Sequence, residues 1–559
     1  MTDASAAPGT APAASSPCCG SAPAAATPAP AAASEPAKCC GDPTPNKETG
    51  ACCSAPAATC GCQKKGAADE AQKKGDAVEA QKKGEAVEAQ KKGAEDEVKT
   101  ENEAAGPLPV AVIGAGPIGL AAAVQLVAKG ETPLILESGD AVGASVREWS
   151  HVRLFSPWRY LVDPTSRGML EATGWSMPDE DTLPTGGELV ARFAEPLAAL
   201  PQIAPHLRLG HRELAVTRRG YDKVKTAGRD DAPFELVVRM PDGRTERLLA
   251  RAVIDASGTW RSPNPLGAGG VAAEGEADAA ARTQYGIPDV LGRDRARYAG
   301  KRVLVAGSGH SAFNALLDLA ALQRESAGTR IVWAIRRTDI GLMFGGGRKD
   351  ALEARGALGD RLRRLVESGT VQLELGVRIA RVSSTADGLV VESDTGARLG
   401  PIDEIIVTTG FRPDLSLTRE LRLNLDPWLE APVQLAPLVD PNLHSCGTVY
   451  PHGAAELAHP EKDYYVVGMK SYGRAPTFLL LTGYEQVRSV VCALTGDEEG
   501  ARNVELVLPE TGVCQTDLGA GSCGGGSCGV PTGAKEVEEE LVLVGAGVDA
   551  GTGAVACCG

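Results

Sequence analysis

Val110-Ala-Val-Ile-Gly-Ala-Gly-Pro-Ile-Gly-Leu-Ala-Ala-Ala-Val-Gln-Leu126 joins an apolar, β-branched run to an Ala-rich helical one across a glycine turn. Each glycine has its own task. Gly114 permits the tight turn, Gly116 lets backbone N–H groups approach a pyrophosphate, and Gly119 lets the helix lie close to the strand. The helix N-terminus then offers unpaired donors and a partial positive charge to the phosphates. A second apolar run, Leu134-Ile-Leu-Glu137, ends in an acid about 20 residues on, where a ribose hydroxyl is held. The stretch predicts a βαβ dinucleotide site.

The same grammar returns downstream as Arg302-Val-Leu-Val-Ala-Gly-Ser-Gly-His-Ser-Ala-Phe313, with a helical run to about Leu322. Gly307, Gly309 and Ala312 take the fingerprint positions, and Ile331-Val-Trp-Ala-Ile335 is the next strand. That strand ends in Arg336-Arg337 instead of an acid, the exchange expected where a 2′-phosphate is neutralised, so NADPH is favoured over NADH.

Other segments are placed by pattern. Residues 207–216 and 234–238 read as strands, with Pro241-Asp-Gly243 as a hairpin turn. Ala252-Val-Ile-Asp-Ala-Ser-Gly-Thr-Trp260 is an apolar strand running into small residues. Residues 264–299 read as a connector. Strands are expected at 389–391 and 404–407, the latter ending in Thr408-Thr-Gly-Phe-Arg-Pro-Asp414. A last core strand is expected over 463–468, and its loop leads through Pro476 into a helix over 477–494. Residues 541–544 could form one stray strand.

The 559-residue chain carries a net charge of −15, which argues against nucleic acid or an anionic membrane as a main partner. No apolar run reaches the roughly 20 residues that span a bilayer. The first residues lack the basic region and apolar core of a secretory signal, so a cytoplasmic protein is expected. Residues 1–62 are Ala, Pro, Ser, Gly and Cys, a composition that cannot offset ordering entropy by burial. Gln-Lys-Lys-Gly recurs at 63, 72, 81 and 90 without an apolar stripe and reads as a solvated spacer.

Of 15 cysteines, eight precede Gln63: Cys18, Cys19, Cys39, Cys40, Cys52, Cys53, Cys60 and Cys62. Soft thiolates on floppy chain suit a thiophilic metal or metalloid ion, and these eight are the candidate ligands. Four more lie in the C-terminal tail, as Cys523, Cys528, Cys557 and Cys558, and only Cys446, Cys492 and Cys514 belong to the expected folded body or its margin. The paired-cysteine spacing of a zinc site is absent.

The ordered set of two fingerprints, an Asp-Ala-Ser-Gly-Thr strand end and a Thr-Thr-Gly-Phe-Arg-Pro-Asp return resembles the two-dinucleotide-binding-domain flavoproteins. These include flavin-containing monooxygenases and thioredoxin-reductase-like enzymes, and the resemblance covers about residues 108–495. It implies an α/β fold of two Rossmann-like domains, the NADPH domain inserted in the FAD domain, with disordered Cys-rich tails. The expected bounds are a tail and spacer over 1–105, the FAD domain over 106–299 and 405–509, the NADPH domain over 300–404 and a second tail over 510–559.

The resemblance also implies site residues. FAD would lie on Gly114, Gly116, Gly119 and Glu137, with Ser156, Val216, Gly258, Gly410 and Gly468 as further cofactor positions. NADPH would lie on Gly307, Ser308, Gly309, Ser311, Arg336 and Arg337. The polar-aromatic loop from Arg147 to Trp158 would approach the flavin, with Arg153 and Ser156 as contacts. Arg153 and Arg474, the latter before the last helix, are catalytic candidates together with His452.

Two departures bear on the reaction. The region 284–298 lacks the histidine of the monooxygenase signature, and residues 300–400 contain no cysteine for a built-in dithiol relay. The chain also resembles, more loosely, actinobacterial flavoproteins found with arsenic-resistance genes, through its vicinal cysteines and the stretch 444–474. There, His444, Cys446, His452, Glu456 and His459 crowd into 16 residues of a chain with seven histidines. They could bind substrate or metal, shuttle protons, or bond locally within the loop. His452 is the acid/base candidate, because histidine titrates near neutral pH. The expected activity is an FAD-dependent NADPH oxidoreductase, monooxygenase-like, on a small thiol-bound or arsenical substrate. Its rivals are a reductase using tail cysteines and a metal-sequestering protein on a flavoprotein scaffold.

Overall fold

The computed structural model describes residues 107–339, 344, 353–444, 450–476 and 478–504. The eight N-terminal cysteines, Cys446, both tails and the strand expected at 541–544 lie outside the described residues.

The first fingerprint folds as read. Strand β1 (Val110–Ile113) is buried throughout, and the helix Pro117–Ala128 follows with Gly116 as its N-cap. Proline in the first turn costs nothing there, since its missing N–H is one of the helix's orphan donors. Strand β2 (Pro133–Glu137) lies parallel to β1, with Ile113 opposite Leu136.

The run 207–216 is not one strand. It breaks at Gly210, whose φ of +69° is open to glycine at little cost. Strand β3 (Leu207–Leu209) pairs parallel with β2, whereas β4 (Arg212–Arg218) turns away. Strand β4 pairs antiparallel with β5 (Phe234–Arg239), which pairs with β6 (Thr245–Ala250) across the expected turn at Gly243. The apolar strand β7 (Ala252–Asp255) then returns beside β1.

Residues 264–299 are more than a connector. They include β8 (Thr283–Tyr285), the edge strand of a second parallel sheet. That sheet continues with β9 (Arg302–Ala306), the helix His310–Glu325, β10 (Arg330–Ala334) and β11 (Gln372–Glu374). An antiparallel meander of β12 (Ile379–Thr385), β13 (Gly388–Ser393) and β14 (Arg398–Ile402) follows. Strand β15 (Glu404–Val407) pairs with β9 along its whole length, so the expected boundary at 404 falls inside the second sheet. Strand β16 (Tyr464–Val466) is shorter than expected and closes the first sheet. The last long helix is Leu480–Leu494, so Pro476 lies ahead of it and not in its first turn.

The two bodies share one plan. Each has a five-stranded sheet, ordered β16-β7-β1-β2-β3 and β11-β10-β9-β15-β8, with a three-stranded meander. In the first, helices cover one face of the sheet in a core that includes Val112, Leu120 and Val487. The meander covers the other, packing Val216, Phe234 and Leu236 on Ile113, Leu136 and Val253. This double cover explains why β1, β2 and β7 are continuous apolar runs. Among the described residues, no helix is long and apolar enough to cross a membrane.

Candidate active site

Both glycine turns sit at the C-terminal ends of central strands, where open α/β sheets take their ligands. In the first, Gly114 has φ of +96°, and a Cβ there would stand 2.8 Å from the Ala256 carbonyl oxygen. A Cβ on Gly119 would stand 1.9 Å from the carbonyl oxygen of Gly114, so helix and turn touch through bare backbone. At Gly116 a Cβ would meet nothing within 4 Å. Gly114 and Gly119 are therefore demanded by the fold. Gly116 faces open space at a helix N-terminus, which is where a dinucleotide pyrophosphate fits.

Glu137 completes this cradle. One carboxylate oxygen accepts from the Ala115 N–H at 2.9 Å and the other from the Gly139 N–H at 2.8 Å. These bonds fix the acid beside the turn; Ser138 Oγ also donates to the second oxygen at 3.4 Å, and the oxygen bonded to Ala115 retains a lone pair for a ribose hydroxyl. The residues present fit FAD.

The second cradle repeats the division. A Cβ on Gly307 would stand 2.4 Å from the Thr408 carbonyl oxygen, whereas at Gly309 it would meet nothing within 4 Å. Trp333 Nε1 donates to the Gly307 carbonyl at 2.7 Å and holds the turn against β10. Ser308 and Ser311 flank Gly309 and are half-buried. Beyond β10, Arg336 is exposed and spends one N–H on the Ala268 carbonyl at 3.0 Å, and Arg337 follows half-buried. The pair of guanidinium groups suits the 2′-phosphate of NADPH.

Two crossing segments join the bodies and are tied to each other. The Asn264 N–H donates to the Gly410 carbonyl at 2.9 Å, and Thr409 Oγ1 donates to the Asn264 carbonyl at 2.9 Å. Trp260 stacks on Phe411 with ring centroids 4.8 Å apart. A Cβ on Gly258 would be unobstructed, whereas one on Gly410 would touch only the Asn264 side chain, at 3.4 Å.

Behind the first cradle lies a buried charged cluster that the sequence reading missed. Lys470 Nζ donates to Asp255 Oδ2 at 2.7 Å and to Ser257 Oγ at 3.0 Å. The Tyr464 hydroxyl donates to the same Asp255 oxygen at 3.0 Å. Burial opposes the charge on Asp255, but Lys470 and the Ser257 donors outweigh it and hold the carboxyl below its ordinary range. Glu213 adds a second carboxyl. Burial, then the charges of Asp255 and Glu137, push it up to about 8, and its Oε1 is buried without a hydrogen-bond partner. The pattern offered a signal for Asp255, at a strand end, but none for a buried lysine in a loop.

The histidine cluster does not assemble as one site. His452 is buried, with Nδ1 2.9 Å from the Tyr450 carbonyl and Nε2 2.9 Å from Gln486 Nε2. A carbonyl only accepts, so Nδ1 carries the proton and Nε2 accepts from the amide. Burial lowers the basicity of this ring, which is neutral and fully bonded. Gln486 also accepts from the Gly468 N–H at 2.8 Å and donates to Ser471 at 3.0 Å. His452 is thus placed to orient the Gly468–Tyr472 turn, and the acid/base expectation gives way to a positioning role. His444 bonds the Pro437 carbonyl, His459 accepts from the Asn424 N–H, and Glu456 caps Gly453. No group of metal-ligating side chains occurs among the described residues.

Three other expected contacts are engaged elsewhere. Arg153 is exposed and donates to the Leu183 carbonyl. Arg474 pairs with Glu430 through two hydrogen bonds of 2.8 and 3.0 Å. The Val216 side chain is buried between β4 and the parallel sheet, so it packs the core. Ser156 is buried within the loop expected near the flavin. Gly468, with φ of +68°, packs on Ile118 beside the first cradle.

The family model of the pyridine nucleotide-disulphide oxidoreductases matches residues 111–435. Indole-3-pyruvate monooxygenase YUCCA1 of Oryza sativa subsp. japonica is 30% identical over 212 residues, covering 37% of this chain and 44% of that protein. The chain therefore spans less than half of that curated relative. Among solved structures, the bacillithiol disulfide reductase of Bacillus cereus superposes with a TM-score of 0.52 at 18% identity, covering 70% of this chain and 100% of its own. A flavin-containing monooxygenase from Stenotrophomonas maltophilia gives a TM-score of 0.43 at 22% identity, covering 70% and 99%.

Proposed function

This chain belongs to the pyridine nucleotide-disulphide oxidoreductase family and is a flavin-dependent enzyme that uses FAD and NADPH, and we propose that it is a monooxygenase-like oxidoreductase of a small substrate. The observation that carries the reading is the paired open glycines, Gly116 and Gly309, each at the end of a central parallel strand. An acid follows the first cradle and two arginines the second. Bound FAD would accept a hydride from NADPH and pass electrons to an acceptor.

The chain's own residues bind and orient. Gly116 and the first helix turn hold the FAD pyrophosphate, and Glu137 its ribose. Gly309, Ser311, Arg336 and Arg337 hold NADPH. The last long helix has Leu479 as N-cap with no side-chain bond to its first turn, leaving N–H groups for an anionic ring edge.

The acceptor follows from the thiols. Cys492 is the free cysteine among the described residues; it is buried, and burial raises its thiol above the ordinary value. It lies nine positions past Gly483, about 13 Å along the helix from the contact with Ile118. The described body offers no dithiol relay, which supports oxygen as the acceptor. One oxygen atom enters the substrate and the other leaves as water, with NADPH and a proton consumed. The cysteine-rich ends present the substrate as a thiol-bound species, a trivalent arsenical being the chemical type.

NADPH oxidation with and without arsenite, under air and under nitrogen, tests this. Oxygen uptake that rises with arsenite supports the reading. Equal turnover under nitrogen replaces it with a reductase, and arsenite binding without turnover replaces it with a sequestering protein.

A further inference from the structure

Outside the crossing segments, the two bodies meet at a ring contact. Phe155, in the loop after the first βαβ unit, and His310, the first residue of the helix after Gly309, have ring centroids 5.7 Å apart at 46°. That spacing lies within the range of attractive ring pairs. Both residues are half-buried.

His310 is itself held from the nucleotide side. Its ring lies 5.6 Å from Phe313, which lies 6.1 Å from Trp333 in an edge-to-face arrangement. Trp333 bonds the carbonyl of Gly307. An unbroken series of rings therefore runs from the second glycine turn to the flavin-side loop. Trp260 stacks on Phe411 between the two connecting segments, so the Phe155–His310 contact lies apart from the connecting chain, beside the cradle.

We propose that Phe155 and His310 are a positioning pair that sets how closely the nicotinamide held by the second body approaches the flavin held by the first. The inference rests on the FAD and NADPH reading above. Hydride transfer depends steeply on approach, and displacements near 1 Å cost on the order of a hundredfold in rate. A ring contact beside Gly309 fixes that approach without spending a fingerprint residue on it. Neither side chain donates or receives the hydride.

The test uses the full-length holoenzyme under nitrogen. Phe155→Leu, His310→Ala and their double variant remove the contact, whereas Phe155→Tyr and His310→Phe keep a ring at each position. Flavin reduction at saturating NADPH, the nicotinamide–flavin charge-transfer absorbance and FAD content are measured. The ring-losing singles should slow reduction between about tenfold and a hundredfold and weaken the charge-transfer band, with FAD content unchanged. The double variant should be no slower than the slower single, because both break one contact. The ring-keeping variants should stay within about twofold of wild type. Unchanged rates and absorbance, additive losses, or ring-keeping variants that fail with the others overturn the pairing. Loss of FAD from Phe155→Leu reassigns that residue to cofactor retention and also overturns it. A wild type that NADPH does not reduce refutes the functional reading beneath it.

Discussion

Lys470 Nζ stands 2.7 Å from Asp255 Oδ2, across 215 positions of sequence, with side-chain exposures of 1% and 0%. The pair ties the turn before the last helix to the end of β7, and Ser257 extends it to the loop that covers Gly114. Such a pair is costly to bury and more costly to break, since the surviving partner is left as an uncompensated charge.

Lys470→Met should therefore destabilise the body by about 3–5 kcal/mol. Chemical denaturation checks it, with the midpoint shifting and the slope preserved. A double variant, Lys470→Met with Asp255→Leu, should recover much of the loss, because replacing both members removes the charges together. A single variant as stable as wild type would show that the pair contributes nothing.

The glycines separate into two classes by experiment. Gly116→Val should fold normally and lose FAD, because the added atoms enter open space that the pyrophosphate needs. Gly119→Ala should fail to fold, since its Cβ would stand 1.9 Å from the Gly114 carbonyl oxygen. Thermal melting and flavin absorbance distinguish them. A yellow Gly116→Val protein, or a stable Gly119→Ala protein, contradicts the assignment.

Glu213 carries a pH signature. Its carboxyl is raised from 4.5 to about 8 in the folded protein, so the folded state holds a proton that the unfolded chain releases. Stability from this group is present below the unfolded value and is lost as pH climbs toward about 8. Glu213→Gln should flatten that decline, with melting temperatures of variant and wild type diverging across this window. Parallel profiles would place the carboxyl's proton elsewhere.

Nucleotide preference should follow Arg336 and Arg337. The wild type should use NADPH well ahead of NADH. Replacing both by alanine should raise KM for NADPH with little change in kcat, each charge-assisted contact being worth roughly 1.5–3 kcal/mol. Initial rates with both nucleotides check this. Equal use by the wild type would remove the arginines from the 2′-phosphate site.

The sequence by itself determined the two cradles and their order. Their signals are local: an apolar strand buried on both faces, a turn that only glycine can make, and a helix starting at once. The glycine roles were legible where backbone sterics act within a few residues, as in the positive φ of Gly114 and the approach of Gly119 to the Gly114 carbonyl, whereas the Ala256 carbonyl that also crowds Gly114 comes from far along the chain. Beyond Glu137, whose place beside the first cradle follows from its spacing, tertiary structure decided which polar residues stand near them. The break at Gly210, the addition of β8 to the second sheet, and the meeting of Lys470 with Asp255 join residues far apart in the chain. No period encodes such pairings. His452 shows the same limit: its chemistry suggested proton transfer, but burial and two bonded nitrogens make it a brace for a turn. A side chain's type states what it can do, and its desolvation and partners decide which of those things it does.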